Sequence, residues 1–366
     1  MRLTKLDGNV VGKQLAKAFY TADGKPLLRA GVILTGEYVR SLRQKGFRSV
    51  YINDVYDKDI AIDDFIEESV RFRSAGKIKD IMGRYIGGES VEQQEIKSVV
   101  GDLLASLEGK ENISAGLTAL RSFDDYTYGH SVNVCLLAMV IGIDLYYDTR
   151  KLYELSIGAL LHDIGKILIP LEILNKPAGL TPEEAKVVRK HTEEGFAILR
   201  KHFDLSLLSA HVPFEHHEWY NGSGYPRGLK REGIIEYARI TTIADVFDAV
   251  TNDRIYRPRI ALNQAYNLIA KQMDAQFDPR LARCFLERIQ VFPNGTYVRL
   301  NTGEIGIIIR QAEKSNRKPT VRLLLDRTGE RLSYPVEVDL VRKPELSIVE
   351  VLDAFQPEPA VECKPD

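Results

Sequence analysis

Leu160-Leu161-His162-Asp163-Ile164-Gly165-Lys166 opens the stretch that decides how this chain reads, and Glu215-His216-His217-Glu218 closes it. His191 lies between them. Four of the seven histidines in 366 residues occupy these positions, and a fifth, His130, lies upstream on another apolar-periodic segment. Neutral imidazole and carboxylate are ligands of choice for divalent transition metals. An adjacent His-Asp pair near a helix end can place two ligands on neighbouring metals. The two oxygens of Asp163 can bridge, which an imidazole does not easily do. An isolated His-Asp pair is more often a buried hydrogen-bonded couple that holds helices together. Here the pair comes with His130, His191, His216, His217 and Asp245, which favours metal.

The segments around this stretch read as helix. Asn133 to Leu145 is strongly apolar, and Leu152 to Leu161 forms a second helix, ended after Asp163 by Gly165. Thr181-Pro182-Glu183-Glu184 is a capping box with proline at the first helical position. It predicts one helix to about Lys201 that carries His191. A further helix leads to His216 and His217. A turn-rich loop follows, Tyr220-Asn221-Gly222-Ser223-Gly224-Tyr225-Pro226-Arg227-Gly228. Ile240, Ile243, Ala244 and Phe247 mark the next apolar face, on a helix that also holds Asp245. Residues 119–290 are therefore expected to form one almost all-helical domain.

Outward from that core the pattern changes. Residues 57–118 are charged and helical. Ile78, Ile81, Met82, Tyr85 and Ile86 recur at helix spacing, Gly87-Gly88 breaks the run, and Val99, Val100, Leu103, Leu104 and Leu107 mark another helix. Such a stripe packs on the chain's own core or serves as a dimer face. Residues 1–56 read as a small α/β unit. Two short strands flank Ala22-Asp23-Gly24, Thr35 caps a helix ending near Gly46, and Val50-Tyr51-Ile52 is a strand. No chemistry is visible there, and its role is structural, sensory or docking. From Pro293, Tyr297–Leu300, Ile305–Ile309, Val321–Leu325 and Val336–Val341 read as strands. Asn301-Thr302-Gly303 and Thr328-Gly329 are turns between them. Residues 291–355 should thus form a small β-domain, a partly closed barrel, with residues 356–366 as a disordered tail.

The formal net charge is -1, so no global field draws the chain toward a nucleic-acid polymer or a membrane. No run approaches the ~18 apolar residues of a membrane span, and the N-terminus lacks the apolar core of a signal peptide. Cys135, Cys284 and Cys363 are scattered and odd in number, which argues for a reducing cytoplasm over a disulfide framework.

The landmarks continue in order beyond the opening stretch. Tyr126-Thr127 precede His130 and Ser131. Ile169-Pro170 and Ile173-Leu174-Asn175-Lys176-Pro177 follow the His-Asp pair. Later come Gly222-Ser223-Gly224-Tyr225-Pro226, Ala244-Asp245-Val246-Phe247-Asp248-Ala249, Asp253-Arg254, Tyr256-Arg257 and Phe277-Asp278-Pro279. Over roughly residues 119 to 290 this series resembles the HD-GYP family, a branch of the HD metal-dependent phosphohydrolase superfamily. The resemblance does not cover the flanking segments; taken with their patterns, the chain is expected to be multidomain and mainly α. Its all-helical HD-type phosphohydrolase core would carry a small N-terminal α/β unit and a small C-terminal β domain.

Members of that family hydrolyse cyclic di-GMP at a centre of two or three metals. Carried onto this sequence, the pattern implies that one metal is held by His130, His162, Asp163 and Asp245. It implies that the second is held by Asp163, His191, His216 and His217. Two close cations lower the pKa of a bridging water, whose hydroxide would attack phosphorus, and Lys166 would add a cation near the phosphate. Ligands of nitrogen and oxygen suit iron or manganese, with zinc and nickel left open. Trinuclear members carry glutamate where this chain has Tyr126, so two metals are expected. The family often has Arg-Trp-Asp ahead of the Gly-Tyr-Pro loop, whereas this chain has Trp219-Tyr220-Asn221.

For substrate, the resemblance points to Lys166, Gly224, Tyr225, Arg254 and Arg257. The Tyr225 ring either stacks on guanine or shapes its loop. The two arginines suit phosphate or guanine edges or form a solvated face. The expected function is a cytoplasmic cyclic di-GMP phosphodiesterase giving linear pGpG, with further hydrolysis to GMP left open. Homodimerisation through the helical linker and signalling partners at the Gly-Tyr-Pro loop go with it. The alternatives are an HD hydrolase of cyclic GMP-AMP or a linear dinucleotide, and a silent cyclic di-GMP receptor.

Overall fold

A computed structural model describes residues 1–21, 24–53, 59–60, 66–108, 126–174, 176, 178–202, 205–252, 259–312 and 315–352, apart from the side chains of Leu3, Tyr126, Thr127 and His202. The turn residues Ala22 and Asp23, the arginines Arg254 and Arg257, and the tail 356–366 lie outside the described residues, as does the Tyr126 side chain.

The chain divides into two compact units. One gathers Met1–Phe19, Pro26–Asp63 and the chain from Gln290 onward, so segments from both ends of the sequence share it. Its strands are β1 (Arg2–Lys5), β2 (Gln14–Leu15), the first residue of β3 (Phe19–Tyr20), β4 (Pro26–Leu28) and β5 (Ser49–Asn53). Thr35 caps α1 (Gly36–Gln44) as expected, its hydroxyl accepting from the Tyr38 amide at 3.2 Å. β1 and β2 flank β5 in an antiparallel sheet, and neither was legible in the sequence. The later strands are β6 (Tyr297–Leu300), β7 (Ile305–Ala312), β8 (Ser315–Leu325), β9 (Arg331–Asp339) and β10 (Ile348–Val351). They form one antiparallel sheet in the order β10-β6-β7-β8-β9, open at β10 and β9 rather than closed into a barrel. Ile60 joins Tyr297, Ile307 and Leu324 in a small core. Arg322 pairs with Asp59 through two hydrogen bonds of 2.9 and 2.7 Å.

The other unit, mainly Asp64–Ile289, is helical. Its helices are α2 (Glu68–Ile86), α3 (Gln93–Leu107), α4 (Tyr126–Asp144), α5 (Thr149–Leu160), α6 (Leu171–Leu174), α7 (Pro182–Arg189), α8 (His191–His202), α9 (Leu207–Glu215), α10 (Glu236–Thr251), α11 (Leu262–Lys271) and α12 (Pro279–Arg288). α4 is apolar on all sides because it is central, buried from Val132 to Ile141. Cys135 belongs to this core, its thiol 3.3 Å from the Ser156 carbonyl.

One of two readings is favoured and one expectation changes. Most of the stripe on α2 and α3 packs on the chain's own core, while Ile86 stays exposed. Ile78, Ile81, Met82, Val99, Val100, Leu103 and Leu107 are buried in the same core as α4, α5 and α10. Each such side chain contributes about 1.5–3 kcal/mol on burial, so these residues are committed within the chain. The helix expected from Thr181 to Lys201 is broken at Lys190, whose amide turns back to the Val187 carbonyl at 3.2 Å. That tight turn makes His191 the first residue of α8 and brings its ring back over the end of α7. No helix among the described residues is long and apolar enough to cross a membrane.

Candidate metal centre

Five helices deliver the ligand candidates. α4 carries His130, the turn after α5 carries His162 and Asp163, and α8 begins with His191. His216 and His217 follow α9, and α10 carries Asp245. Gly165 permits the closest approach. A Cβ there would lie 2.0 Å from the His191 carbonyl oxygen, so only glycine lets the His-Asp turn meet the start of α8. The Thr242 hydroxyl donates to the His216 carbonyl at 2.7 Å and ties α10 to the paired histidines.

Asp163 sits at the centre, with its two oxygens facing two groups of donors. Oδ1 lies 3.5 Å from His191 Nε2 and 3.8 Å from His216 Nε2. Oδ2 lies 3.3 Å from His162 Nε2 and 3.9 Å from His130 Nε2, and His130 Nε2 is 3.1 Å from Asp245 Oδ1. Among the described residues two sets of donors are close enough to share a cation: Asp163, His191, His216 and His217, and His130, His162 and Asp245.

Three rings are oriented by backbone. His162 Nδ1 meets the Ala159 carbonyl at 2.8 Å, His191 Nδ1 meets Val188 at 2.6 Å, and His216 Nδ1 meets Pro213 at 2.9 Å. A carbonyl only accepts, so each Nδ1 carries the proton, and in a neutral ring Nε2 keeps a bare lone pair. These carbonyls belong to α5, α7 and α9 near their C-terminal ends, where carbonyls lack helical partners and the helix dipole is negative. The fourth ring is oriented by a side chain. His130 Nδ1 lies 2.7 Å from Asp248 Oδ2, and Asp248 Oδ1 accepts from Asn133 at 2.9 Å and Asn252 at 2.7 Å.

His162 Nε2, His191 Nε2, His216 Nε2 and Asp163 Oδ1 are buried with no hydrogen-bond partner. Leaving one buried polar group unpaired costs about 1–3 kcal/mol, and these four converge on one place. They fall in two sets on either side of Asp163, so a divalent cation at each set would satisfy them, and the imidazole and carboxylate donors fit such ions. Burial and neighbouring charges hold His216 neutral well below its usual range and lower His191, and burial brings His217 to about 3. Burial opposes protonation of His130 as well, but Asp245 and Asp248 raise it to about 9. Asp163 is ionised despite burial because the Lys166 charge holds its carboxyl far below the usual range. Lys166 Nζ lies 2.5 Å from Asp163 Oδ2.

The glycine-rich loop packs against the paired histidines. A Cβ at Gly224 would lie 2.3 Å from the Trp219 nitrogen and 2.4 Å from the His217 carbonyl, so this glycine serves close backbone approach. Tyr225 donates its amide to the His217 carbonyl at 3.1 Å, and its ring stacks on His217 with centroids 4.8 Å apart. The Tyr225 ring is thus braced against the paired histidines. Buried Glu218 accepts the amides of Arg227 at 2.7 Å and Leu229 at 3.0 Å, and the Asn221 side chain accepts the Ser223 amide at 2.9 Å. The loop is therefore anchored without the arginine and aspartate missing beside Trp219.

Three polar residues around the site were not singled out from sequence. Asp248 lies three residues after Asp245, and Asn133 three after His130, so a shared helix face was the available signal. Arg189 ends α7, with its guanidinium 4.8 Å from the centre of the Tyr225 ring. Only its position two residues before His191 hinted at it.

Comparison with known proteins defines the class. Residues 118–281 match the HD domain, and residues 297–356 match a KOW domain associated with HD domains. The helical domain belongs to the HD-GYP family. A cyclic di-GMP phosphodiesterase of Pseudomonas aeruginosa is 32% identical over 273 residues, 75% of this chain and 65% of that protein. A cyclic di-GMP phosphodiesterase of Thermotoga maritima is 38% identical over 45% of each chain. A 3'3'-cGAMP-specific phosphodiesterase of Vibrio cholerae is 35% identical over 40% of this chain and 34% of that one. The chain thus spans under two thirds of these relatives' lengths. The solved HD-GYP-type protein Bd1817 of Bdellovibrio bacteriovorus shares the fold. It has a TM-score of 0.52 and 18% identity, covering 78% of this chain and 98% of that one.

Proposed function

We propose that this chain is a phosphodiesterase that opens cyclic di-GMP to linear pGpG, and onward to GMP, at a centre of two divalent metals. The observation that carries this reading is the set of orphaned donors, divided between the two oxygens of Asp163. His130, His162, Asp163 and Asp245 would hold one cation; Asp163, His191, His216 and His217 would hold the other. Iron or manganese suits these donors. When bound, such a pair supplies an activated water and neutralises charge on the phosphate.

The chain's own residues do the rest. Backbone-held rings keep their Nε2 atoms aimed inward at no cost in reorganisation. Lys166 stands on Asp163, where its charge can also meet a phosphate oxygen. Tyr225 fixes His217. Arg189, exposed above Tyr225, receives a substrate phosphate or a guanine edge, and Arg254 and Arg257 serve the second phosphate or base. The exposed residues Asn221, Ser223 and Arg227 of the loop are the surface assigned to signalling partners.

The substrate assignment draws on the names of relatives, which divide between cyclic di-GMP and 3'3'-cGAMP. The test is anaerobic purification with metal analysis, then product analysis on a panel of cyclic dinucleotides. Two metals with pGpG formed fastest from cyclic di-GMP is the expected outcome. Preferential cleavage of cyclic GMP-AMP would move the assignment to that nucleotide, and tight binding without product would make the chain a receptor.

A further inference from the structure

Arg71 is a buried cation on α2, outside residues 118–281 that match the HD domain. It has no exposed surface, and a buried guanidinium is costly unless its neighbours use its charge. Glu68 Oε2 takes Nη2 at 2.5 Å, and Nη1 points to Asn133 Oδ1 at 3.5 Å. Asn133 Nδ2 donates to Asp248 Oδ1 at 2.9 Å, and Asp248 Oδ2 meets His130 Nδ1 at 2.7 Å. Arg71, Asn133, Asp248 and His130 are all buried, and Glu68 is partly buried.

We infer that Arg71 is a positioning residue for the metal site that includes His130. The inference rests on the two-metal reading above. An asparagine amide can face either way, but a guanidinium only donates and a carboxylate only accepts. Flipping Asn133 would set its NH2 against Arg71 and its oxygen against Asp248, two repulsive contacts at once. Arg71 therefore fixes which end of Asn133 meets Asp248. Asp248, held in place, receives the Nδ1 proton of His130 and leaves Nε2 for the cation. The 3.5 Å separation is long for a hydrogen bond, so the effect of Arg71 on Asn133 is chiefly the direction of its charge. The relay gives the α2 segment a physical hold on one half of the site. The other half is oriented by helix-end carbonyls and does not depend on it.

The test follows zinc titration of metal-free protein by NMR with labelled histidine side chains, in the full chain and in Arg71→Met, Arg71→Lys and Asn133→Ala. Each ring reports its own half of the site. Arg71→Met and Asn133→Ala should weaken zinc at His130 and His162 about tenfold. They should also shift the His130 Nδ1–H signal and leave His191, His216 and His217 within about twofold. Arg71→Lys should restore part of the His130 affinity. Asn133→Ala leaves the Arg71–Glu68 pair in place, so it reads the relay even if Arg71→Met folds poorly. Unchanged His130 affinity in the variants, or equal weakening of both halves, overturns the relay. Failure of the unaltered chain to bind zinc at either half overturns the metal reading beneath it.

Discussion

The two halves of the candidate centre are built differently. Around His191 and His216, the rings hang from carbonyls of α7 and α9, and no side chain is needed to set the tautomer. Around His130, a carboxylate sets it, and that carboxylate depends on two asparagines and, through one of them, on Arg71. A carbonyl at a helix end is placed by the whole helix. A side-chain relay can be lost by one substitution or by movement of one segment. The first half should be robust, and the second adjustable.

The largest effect should come from the residue both halves share. Asp163→Ala should abolish phosphodiesterase turnover and strip both metals, measured by elemental analysis beside a rate assay. Two retained equivalents with a near-normal rate would contradict the bridging geometry. Asp248→Ala should separate the halves. Metal affinity at His130 should fall about 10–100-fold, while titration at His191 and His216 stays near that of the unaltered protein. Equal losses on both sides would erase the distinction.

Without metal, the halves should also answer pH in opposite senses. His191, His216 and His217 are held neutral in the folded chain, with values below the ordinary 6.5. Below about 6.5 the unfolded chain binds more protons there, so folding stability falls as pH drops. Each such histidine steepens the fall by about 1.4 kcal/mol per pH unit. His130 is raised to about 9, so its contribution is complete below 6.5 and is lost as pH rises through about 9. Urea unfolding of chelator-treated protein from pH 5 to 10 should show stability highest between these limits. A flat profile would count against the neutral rings.

The smallest change is expected at Arg189, which stands over the robust half without orienting a ligand. Arg189→Ala should raise KM by about 3- to 10-fold, toward the lower end because the side chain is exposed, with kcat and metal content little changed. Loss of metal in this variant would instead make Arg189 part of the structural support of His191.

Much of this was legible in the chain itself. Histidine and aspartate at positions 130, 162, 163, 191, 216, 217 and 245 are informative because few cores need so many ligands in one segment. Apolar periodicity marked α4, α5 and α10, and turn residues marked the loop at 220–228 and the strands after Pro293. The break at Lys190 escaped, because the capping box at Thr181 predicts where a helix starts and says nothing of an interruption nine residues on. β1 and β2 escaped because β5 between them comes more than thirty residues later, and short strands gain their stability from pairing.

The sequence by itself determined the donor types and the helical frame that carries them, since ligand chemistry belongs to residue type and periodicity is local. Tertiary structure alone decided how near each donor lies to each oxygen of Asp163, which imidazole nitrogen faces a backbone carbonyl, and that Asn133, Asp248 and Arg71 stand behind His130. Asn133 and Asp248 are 115 positions apart and Asn133 and Arg71 are 62 apart. Hydrogen bonds act over a few ångströms of space, and only folding brings such distant positions within reach.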